Sequence, residues 1–278
     1  MRHDGTVNND ENPVAGPSAP RDNSRLYPRV TSFRFRRGSL TKGQQHNWET
    51  LWPTLGRDLR TGPDAADEPP LNTADWFGRD APLVIEVGSG TGISTAAMAE
   101  AEPDVDVVAV EVYQPGLAQL VGLVHRGGLE NVRMVRGDAT VVFSELVASD
   151  SLTGVRVFFP DPWPKTRHHK RRFLQSGTIE LIADRLKPGG VLHIATDHAD
   201  YALWIAELLA TQRPDRPHVV PLTFDSPILL ERPTTKFEGR AQVEGRDVNE
   251  FVYVKPFEHT EKPFERAGTS DRNQEDPS

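Results

Sequence analysis

Residues 84–92 read VIEVGSGTG, an apolar run that carries one acid and is followed by three glycines at alternate positions. An apolar, β-branched run of this length is typical of a buried strand. Glycine allows a tight turn from a strand into a helix and lets a ligand approach the backbone closely. The stretch therefore predicts a strand, a glycine loop and a helix that begins near Ile93 with free N–H groups in its first turn.

The same alternation of strand and helix continues along the chain. Helices are predicted at about 93–100, 115–125, 140–147, 172–186 and 198–210. The predicted strands are PLVIEVG, VDVVAVEV, NVRMVRGD, GVRVFFPD, VLHIATD, HVVPLTF and DVNEFVYVKPF. Repeated βα units with apolar strands predict an α/β fold, with a mostly parallel, seven-stranded, Rossmann-like sheet and helices on both faces.

The two ends of the chain differ in composition from this central part. Residues 1–24 and 259–278 are polar, rich in Asp, Asn, Pro and Ser, and lack hydrophobic periodicity, which predicts disordered tails. Residues 25–60 are expected to form a basic N-terminal extension, and residues 76–258 to form the α/β domain. The 278 residues include no cysteine, which excludes disulfides, thiolate metal sites and a cysteine nucleophile.

The chain carries a net charge of -8, but its cations are concentrated in two runs. Residues 25–43 contain six Lys or Arg and no acid, and residues 165–172 contain five Lys or Arg, two His and no acid. Screening confines charge effects to roughly 10 Å, so a polyanion responds to such local runs. They predict contacts with nucleic acid, with an ordinary solvated surface as the alternative.

No apolar run approaches the ~20 residues of a membrane span, and the N-terminus lacks the apolar core of a signal peptide. We therefore expect a cytoplasmic protein without membrane contact.

The spacing of the glycines bears on the ligand. The G-x-G-x-G pattern makes Gly88 and Gly90 candidate cofactor-binding residues, and Glu86 precedes them by two positions. The dinucleotide fingerprint needs a third glycine where this chain has Ile93. The pattern favours S-adenosylmethionine as cofactor, while a nucleotide enzyme and a merely structural turn remain alternatives.

Acids end three consecutive predicted strands, at Glu86, Glu111 and Asp138. Ligands of such sheets bind beyond the carboxyl ends of the strands. A carboxylate at Glu111 can accept hydrogen bonds from both ribose hydroxyls of an adenosine. Asp138 can accept from an adenine amino group, or it can cap the helix that follows.

The fourth predicted strand ends in FFPDPWPK, residues 158–165, in which three prolines make a stiff, extended loop. The loop holds an acid (Asp161), an aromatic ring (Trp163) and a base (Lys165) in fixed relation. The ring either stacks on an unpaired base or packs beneath the loop. Transfer of a methyl group from a sulfonium to an in-line nucleophile needs no metal, and we expect none.

The sequence from about residue 31 to residue 255 resembles the bacterial tRNA (guanine-N7)-methyltransferases. This resemblance rests on FFPDPWPKTRHHKRR (158–172), RGSLTKGQQ (37–45), VIEVGSGTG (84–92), VEV-x-x-PG (110–116), ATDHADY (195–201) and RPTTKFEGR (232–240). The family consists of class I S-adenosylmethionine-dependent enzymes with a Rossmann-like fold, which modify guanosine 46 in the variable loop of tRNA. The resemblance therefore implies S-adenosylmethionine as cofactor and tRNA as partner, for a monomer or homodimer.

The resemblance also implies roles for matching residues. The cofactor-contacting acids correspond to Glu86, Glu111, Asp138 and Asp161, and Asp161 also occupies the catalytic position. The substrate-contacting positions correspond to Lys165, Asp197, Thr235, Lys236, Phe237 and Glu238. Guanine N7 carries no proton, so we expect Asp161 to orient and polarise the base rather than remove a proton.

Three other functions remain to be separated by experiment. A small-molecule methyltransferase would explain the glycine loop but not the two basic runs. An RNA-binding module without catalysis would explain the basic runs but not the three acids at the strand ends. An NAD-dependent oxidoreductase is disfavoured by Ile93 and by the lack of an obvious hydride-transfer acid.

Overall fold

A computed structural model of the chain describes residues 32–33, 38–59, 69–212, 217–233 and 247–257. The helices are α1 (Lys42–Leu55), α2 (Thr73–Phe77), α3 (Ile93–Ala101), α4 (Gln114–Gly127), α5 (Ala139–Val141), α6 (Ser176–Arg185) and α7 (Ala199–Ala210). The strands are β1 (Gly56–Asp58), β2 (Leu83–Val87), β3 (Asp106–Glu111), β4 (Val132–Arg136), β5 (Leu152–Phe158), β6 (Leu186–Thr196), β7 (Val220–Pro221) and β8 (Asn249–Val254). A π-helical turn (Val142–Leu146) follows α5, and a 3-10 helix (Thr166–Arg171) precedes α6.

The strands form one sheet in the order β1-β4-β3-β2-β5-β6-β8-β7. Strands β1 to β6 pair in parallel, whereas β8 runs antiparallel to β6 and β7. The predicted α/β class with a mostly parallel, Rossmann-like sheet is confirmed. The strand order reverses direction between β2 and β5, and in sheets of this kind ligands bind at that point, outside the carboxyl ends of the strands.

The sheet has eight strands among the described residues, whereas the sequence predicts seven. The additional strand is β1, three residues that pair with β4 at one edge, with Gly56 opposite Met134. No apolar alternation marks so short an edge strand, and its pairing partner lies about eighty positions away in the chain. Helix α1 and β1 lie within the predicted N-terminal extension and pack against α4 and β4.

The helix predicted at 172–186 begins later, at Ser176. The predicted start is wrong because Arg172 has an extended backbone with ψ of 134°, and the Leu174 N–H donates to the Tyr201 hydroxyl at 3.1 Å. The helix ends at Arg185, and the following KPGG belongs to the first part of β6 rather than to a loop.

Apolar side chains pack on both faces of the sheet, as expected for a doubly wound fold. Ile85 and Val87 belong to the cluster on one face, and Val84 belongs to the cluster on the other. On the second face, the buried amide of Asn131 braces the turn between α3 and β3. The two hydrogens of its Nδ2 are shared among the carbonyl oxygens of Ala99, Glu102 and Val105, at 2.9–3.0 Å.

We predict that Asn131→Ala lowers the free energy of unfolding by on the order of 2–4 kcal/mol, because it removes hydrogen bonds to the buried carbonyl oxygens of Ala99 and Val105. Urea denaturation followed by circular dichroism measures this loss. The control is Asn249→Ala, which removes an exposed amide on β8 and is expected to change stability by no more than about 0.5 kcal/mol. Equal losses in the two variants would contradict the bracing role of Asn131.

Candidate active site

The glycine loop between β2 and α3 has a backbone that favours glycine at three positions. Gly88, Gly90 and Gly92 have φ values of 73°, 56° and 72°, in the left-handed region. A Cβ at Gly92 would lie 2.5 Å from the Leu120 side chain, whereas a Cβ at Gly88 would meet no described atom within 4 Å. The loop is therefore packed tightly against α4 on one side and leaves space beside Gly88 on the other.

Helix α4 approaches the glycine loop at Gly116. A Cβ at this position would lie 2.1 Å from the carbonyl oxygen of Gly90, closer than any real contact of this kind. The sequence VEV-x-x-PG thus has a packing reason for its final glycine, since the α4 backbone supports the loop directly.

The carboxylate of Glu111, at the end of β3, holds the same loop from a second direction. Its Oε2 accepts a hydrogen bond from Gly90 N at 2.9 Å, and its Oε1 accepts from the backbone N–H groups of Val112 and Tyr113 at 2.7 and 2.9 Å. A carboxylate offers about four lone-pair sites, so Glu111 can still accept from a ligand hydroxyl. The ribose contact predicted for Glu111 stays a prediction, and the structure adds the loop-holding role.

Glu86 lies on β2 with its side chain buried. Its Oε1 accepts from the Thr95 hydroxyl at 2.9 Å, and its Oε2 accepts no hydrogen bond from the described residues. Burial raises the pKa of Glu86, while the positive charge of Arg156 and the Thr95 hydrogen bond oppose that rise. A buried carboxylate oxygen with spare capacity next to a glycine loop fits a cationic ligand with N–H or O–H donors, such as S-adenosylmethionine.

Asp138 lies at the start of α5 as its N-cap, and its Oδ1 accepts from Thr140 N at 2.9 Å. Burial raises the pKa of Asp138, and the hydrogen bonds from Thr140 oppose that rise. The capping alternative is therefore realised, and the predicted adenine contact would have to use the remaining acceptor capacity of the side chain.

The remaining predicted acids follow the next two strands. Asp161 lies three residues after β5, and Asp197 directly follows β6; both are half-buried. Burial above all, and also the nearby charge of Asp161, raise the pKa of Tyr201, so Asp161 lies close to the first turn of α7. Lys165 is exposed four positions further along the loop. Thr235, Lys236, Phe237 and Glu238 lie outside the described residues.

The structure thus gathers the described acids along one edge of the sheet. They lie at or just beyond the carboxyl ends of five neighbouring parallel strands: Glu86 on β2, Glu111 on β3, Asp138 after β4, Asp161 after β5 and Asp197 after β6. The glycine loop and the proline-rich loop follow β2 and β5, the two strands between which the strand order reverses.

Arg172 anchors the proline-rich loop from inside the protein. Its Nε donates to the carbonyl oxygen of Pro162 at 3.0 Å, its Nη2 pairs with the Asp200 carboxylate, and its guanidinium lies 4.9 Å from the centre of the Tyr201 ring. With 2% of its surface exposed, Arg172 is not available to RNA. A buried role for this cation was not predicted from its place in a basic run.

Trp163 packs beneath the loop, which decides between its two predicted roles. It is buried, its Nε1 donates to the carbonyl oxygen of Ser32 at 3.0 Å, and Arg171 lies 3.7 Å above its ring. Its φ of 44° is unusual for a residue other than glycine, so the surrounding contacts hold the loop in a strained shape. A ring covered in this way is not presented to an unpaired base.

The second basic run therefore divides into two groups. Arg171 and Arg172 hold the proline-rich loop, whereas Lys165, Arg167 and Lys170 are exposed. The other basic run includes Arg34, Arg36 and Arg37, which lie outside the described residues. Within the part of the chain that the structure describes, there is no group of three or more His, Asp or Glu placed to hold a metal ion. The described helices are also too short or too polar to cross a membrane.

We predict that Gly116→Ala lowers the affinity for S-adenosylmethionine by about tenfold or more, because the added methyl group pushes the Gly90 carbonyl out of place. Isothermal titration calorimetry measures the affinity. The control is Gly122→Ala on the same helix, where the new Cβ would meet the flexible ends of Arg126 and Asn47 at 3.0 and 3.2 Å. Unchanged affinity in a folded Gly116→Ala variant would contradict the supporting role of α4.

Comparison with known proteins agrees with this arrangement. Residues 80–251 match the model of a family described as "Putative methyltransferase". A relative from Nocardia farcinica named tRNA (guanine-N(7)-)-methyltransferase is 54% identical over 84% of this chain and 86% of its own length. A relative of the same name from Mycolicibacterium paratuberculosis is 52% identical over 88% of this chain and 93% of its own length. The chain belongs to the tRNA (guanine-N(7)-)-methyltransferase family.

Proposed function

We propose that this chain transfers the methyl group of S-adenosylmethionine to N7 of guanosine in tRNA, at position 46 of the variable loop. Family membership supports the reaction, and one structural observation carries it. The glycine loop follows β2, and the proline-rich loop follows the adjacent parallel strand β5, at the point where the strand order reverses. Glu86 and Glu111 lie beside the first loop, and Asp161 lies in the second. The proposal places the chain in the cytoplasm, as a monomer or homodimer.

The cofactor side of the site consists of the glycine loop and the acids around it. When bound, S-adenosylmethionine supplies an electrophilic methyl group on a sulfonium. Glu86 offers a buried carboxylate oxygen, and Glu111 both shapes the loop and retains acceptor capacity. Because both acids lie on rigid strands, they fix the donor's position, and positioning of this kind can contribute ~7–11 kcal/mol to a reaction barrier.

Asp161 presents its carboxylate to the guanine base. It accepts hydrogen bonds from guanine N1–H and the 2-amino group, which orients N7 and raises electron density on the ring. Adenine lacks both donors, so an adenine in the same place could not form these two hydrogen bonds. The loop can select the base in this way because Arg172 and Trp163 hold it in one conformation.

Three exposed cations lie next to this loop: Lys165, which precedes the 3-10 helix, and Arg167 and Lys170 within it. Lys165, Arg167 and Lys170 are suited to phosphate groups of the tRNA backbone, which give affinity without sequence specificity. The proposal also includes Asp197 and residues 235–238 as substrate contacts and residues 25–60 as a tRNA-binding extension.

The assay that tests the reaction uses labelled S-adenosylmethionine and tRNA that lacks 7-methylguanosine. We expect labelled 7-methylguanosine at position 46, located by nuclease digestion and mass spectrometry. Methylation of another nucleotide, or of small molecules in place of tRNA, would contradict the proposal. Tight tRNA binding without transfer at any donor concentration would indicate a binding module.

We predict that Asp161→Asn lowers kcat by about 100-fold or more. The amide N–H groups would face the N–H donors of guanine and displace the base, and misplacement of a reacting group by about 1 Å costs this much in rate. The control is Asp104→Asn, an exposed acid at the opposite edge of the sheet, which should leave kcat unchanged. Circular dichroism and thermal unfolding verify that both variants fold. Near-normal turnover in Asp161→Asn would refute the role of the carboxylate.

We also predict that combined replacement of Lys165, Arg167 and Lys170 by Gln weakens tRNA binding and reduces its dependence on salt. Each lost phosphate contact lowers the slope of log K against log salt by about 0.9 for a duplex and about 0.7 for a single strand. Arg126→Gln/Lys187→Gln, which removes exposed cations at the far edge of the sheet, serves as the control. If both variants keep the wild-type slope, the 3-10 helix does not contact the tRNA backbone.

A further inference from the structure

A charged side chain occupies the middle of the apolar strand β5. Arg156 is completely buried, and it lies in register with Glu86 on β2 and with His193 on β6. Residues in register on parallel neighbouring strands point to the same face of the sheet. These three polar side chains therefore form a row, Glu86–Arg156–His193, beside the apolar residues Val84, Ala109 and Val191 of the same face.

The guanidinium of Arg156 is held from the side away from the sheet. Its Nη2 pairs with the Glu102 carboxylate and donates to the carbonyl oxygen of Leu229 at 3.1 Å. The other oxygen of Glu102 accepts from Leu229 N. The Nε and Nη1 of Arg156 donate to no described residue, so the ion pair with Glu102 uses only the Nη2 end of the guanidinium.

Arg156 is the charged neighbour that acts on Glu86. Of the elements packed around Glu86, β3 presents Ala109 in register and α3 presents the Thr95 hydroxyl. Burial lowers the pKa of His193 to about 4, so this ring is neutral at physiological pH. The positive charge of Arg156 favours the ionised form of Glu86, against the effect of burial.

We propose that Arg156 is a positioning residue for cofactor binding: anchored by Glu102 and Leu229, its guanidinium keeps Glu86 a charged carboxylate that binds the methyl donor. The inference rests on the proposed function, since it concerns the same donor site. S-adenosylmethionine carries a sulfonium and an ammonium group, and a neutral carboxylic acid is a poor partner for such a ligand. Arg156 touches neither donor nor tRNA and acts through Glu86.

The proposal predicts a change in pH dependence. Without the positive charge at position 156, the pKa of Glu86 rises further, and the side chain takes up a proton at a higher pH. Donor affinity then falls as the pH is lowered through that higher pKa, by about tenfold for each pH unit below it. The wild-type protein keeps its affinity to a lower pH, and the variant recovers at alkaline pH.

The variants must separate this effect from the loss of an ion pair. Arg156→Gln/Glu102→Gln removes both charges of the ion pair, so neither member is left buried without the other. Glu102→Gln alone breaks the same ion pair but keeps the charge of Arg156. Arg156→Lys keeps the charge with a different shape.

Isothermal titration calorimetry with S-adenosylmethionine at pH 6.5, 7.5 and 8.5 measures the affinity of the full chain without tRNA. Comparison with the wild-type protein at each pH cancels the titration of the donor itself. We expect the donor affinity of the double variant, relative to that of the wild-type protein, to fall as the pH is lowered, by no more than about tenfold for each pH unit, and to be highest at pH 8.5. Arg156→Lys and Glu102→Gln should follow the wild-type pH dependence. In steady-state assays the double variant should raise KM for the donor and leave KM for tRNA unchanged.

Wild-type affinity and pH dependence in the double variant would overturn the inference. Equal weakening in Glu102→Gln would also overturn it, because the ion pair would then act on the fold alone. A wild-type protein that binds the donor but methylates no tRNA would refute the proposed function without touching the role of Arg156. A wild-type protein that binds no donor would refute both.

Discussion

Parallel pairing of β2 with β3 on one side and with β5 on the other places the central groups of the candidate site. The pairing aligns the carboxyl ends of the three strands, so the glycine loop, Glu111 and the proline-rich loop emerge beside one another. The same register sets Glu86 beside Arg156. A shift of either strand by one residue would place the two side chains on opposite faces of the sheet, since side chains alternate along a strand. The backbone hydrogen bonds of the sheet therefore determine the geometry of the site.

Charges buried near this edge are costly unless they are paired or hydrogen-bonded, and three of them have partners that also fix a loop. Glu111 holds the glycine loop, Arg172 holds the proline-rich loop, and Arg156 together with Glu102 holds the segment at Leu229. Burial of ion pairs adds little net stability compared with apolar packing. Their placement at the site instead favours a role in positioning ligand-binding backbone, which must not move when donor and base approach.

The run KTRHHKRR shows how one short segment serves both structure and proposed binding. Its last two cations turn inward, where Arg171 covers Trp163 and Arg172 reaches Pro162. Lys165, Arg167 and Lys170 remain on the surface. The loop that would present Asp161 to the base is thus continuous with the surface that would hold the phosphate backbone. A displacement of the loop would therefore also move the exposed cations.

The amino-acid sequence alone predicted the strands β2 to β8, the glycine loop, the acids at the strand ends and the family. These features depend on local pattern: hydrophobic periodicity, glycine spacing and the residues that directly follow each strand. The tertiary structure decided the rest, including strand β1, the burial of Trp163 and Arg172, and the placement of Glu86 beside Arg156. An arginine within GVRVFF could have indicated a buried charge, but which acid lies next to it depends on register between strands seventy residues apart. Such contacts form because the sheet brings distant segments together, and no local pattern encodes which side chains then meet.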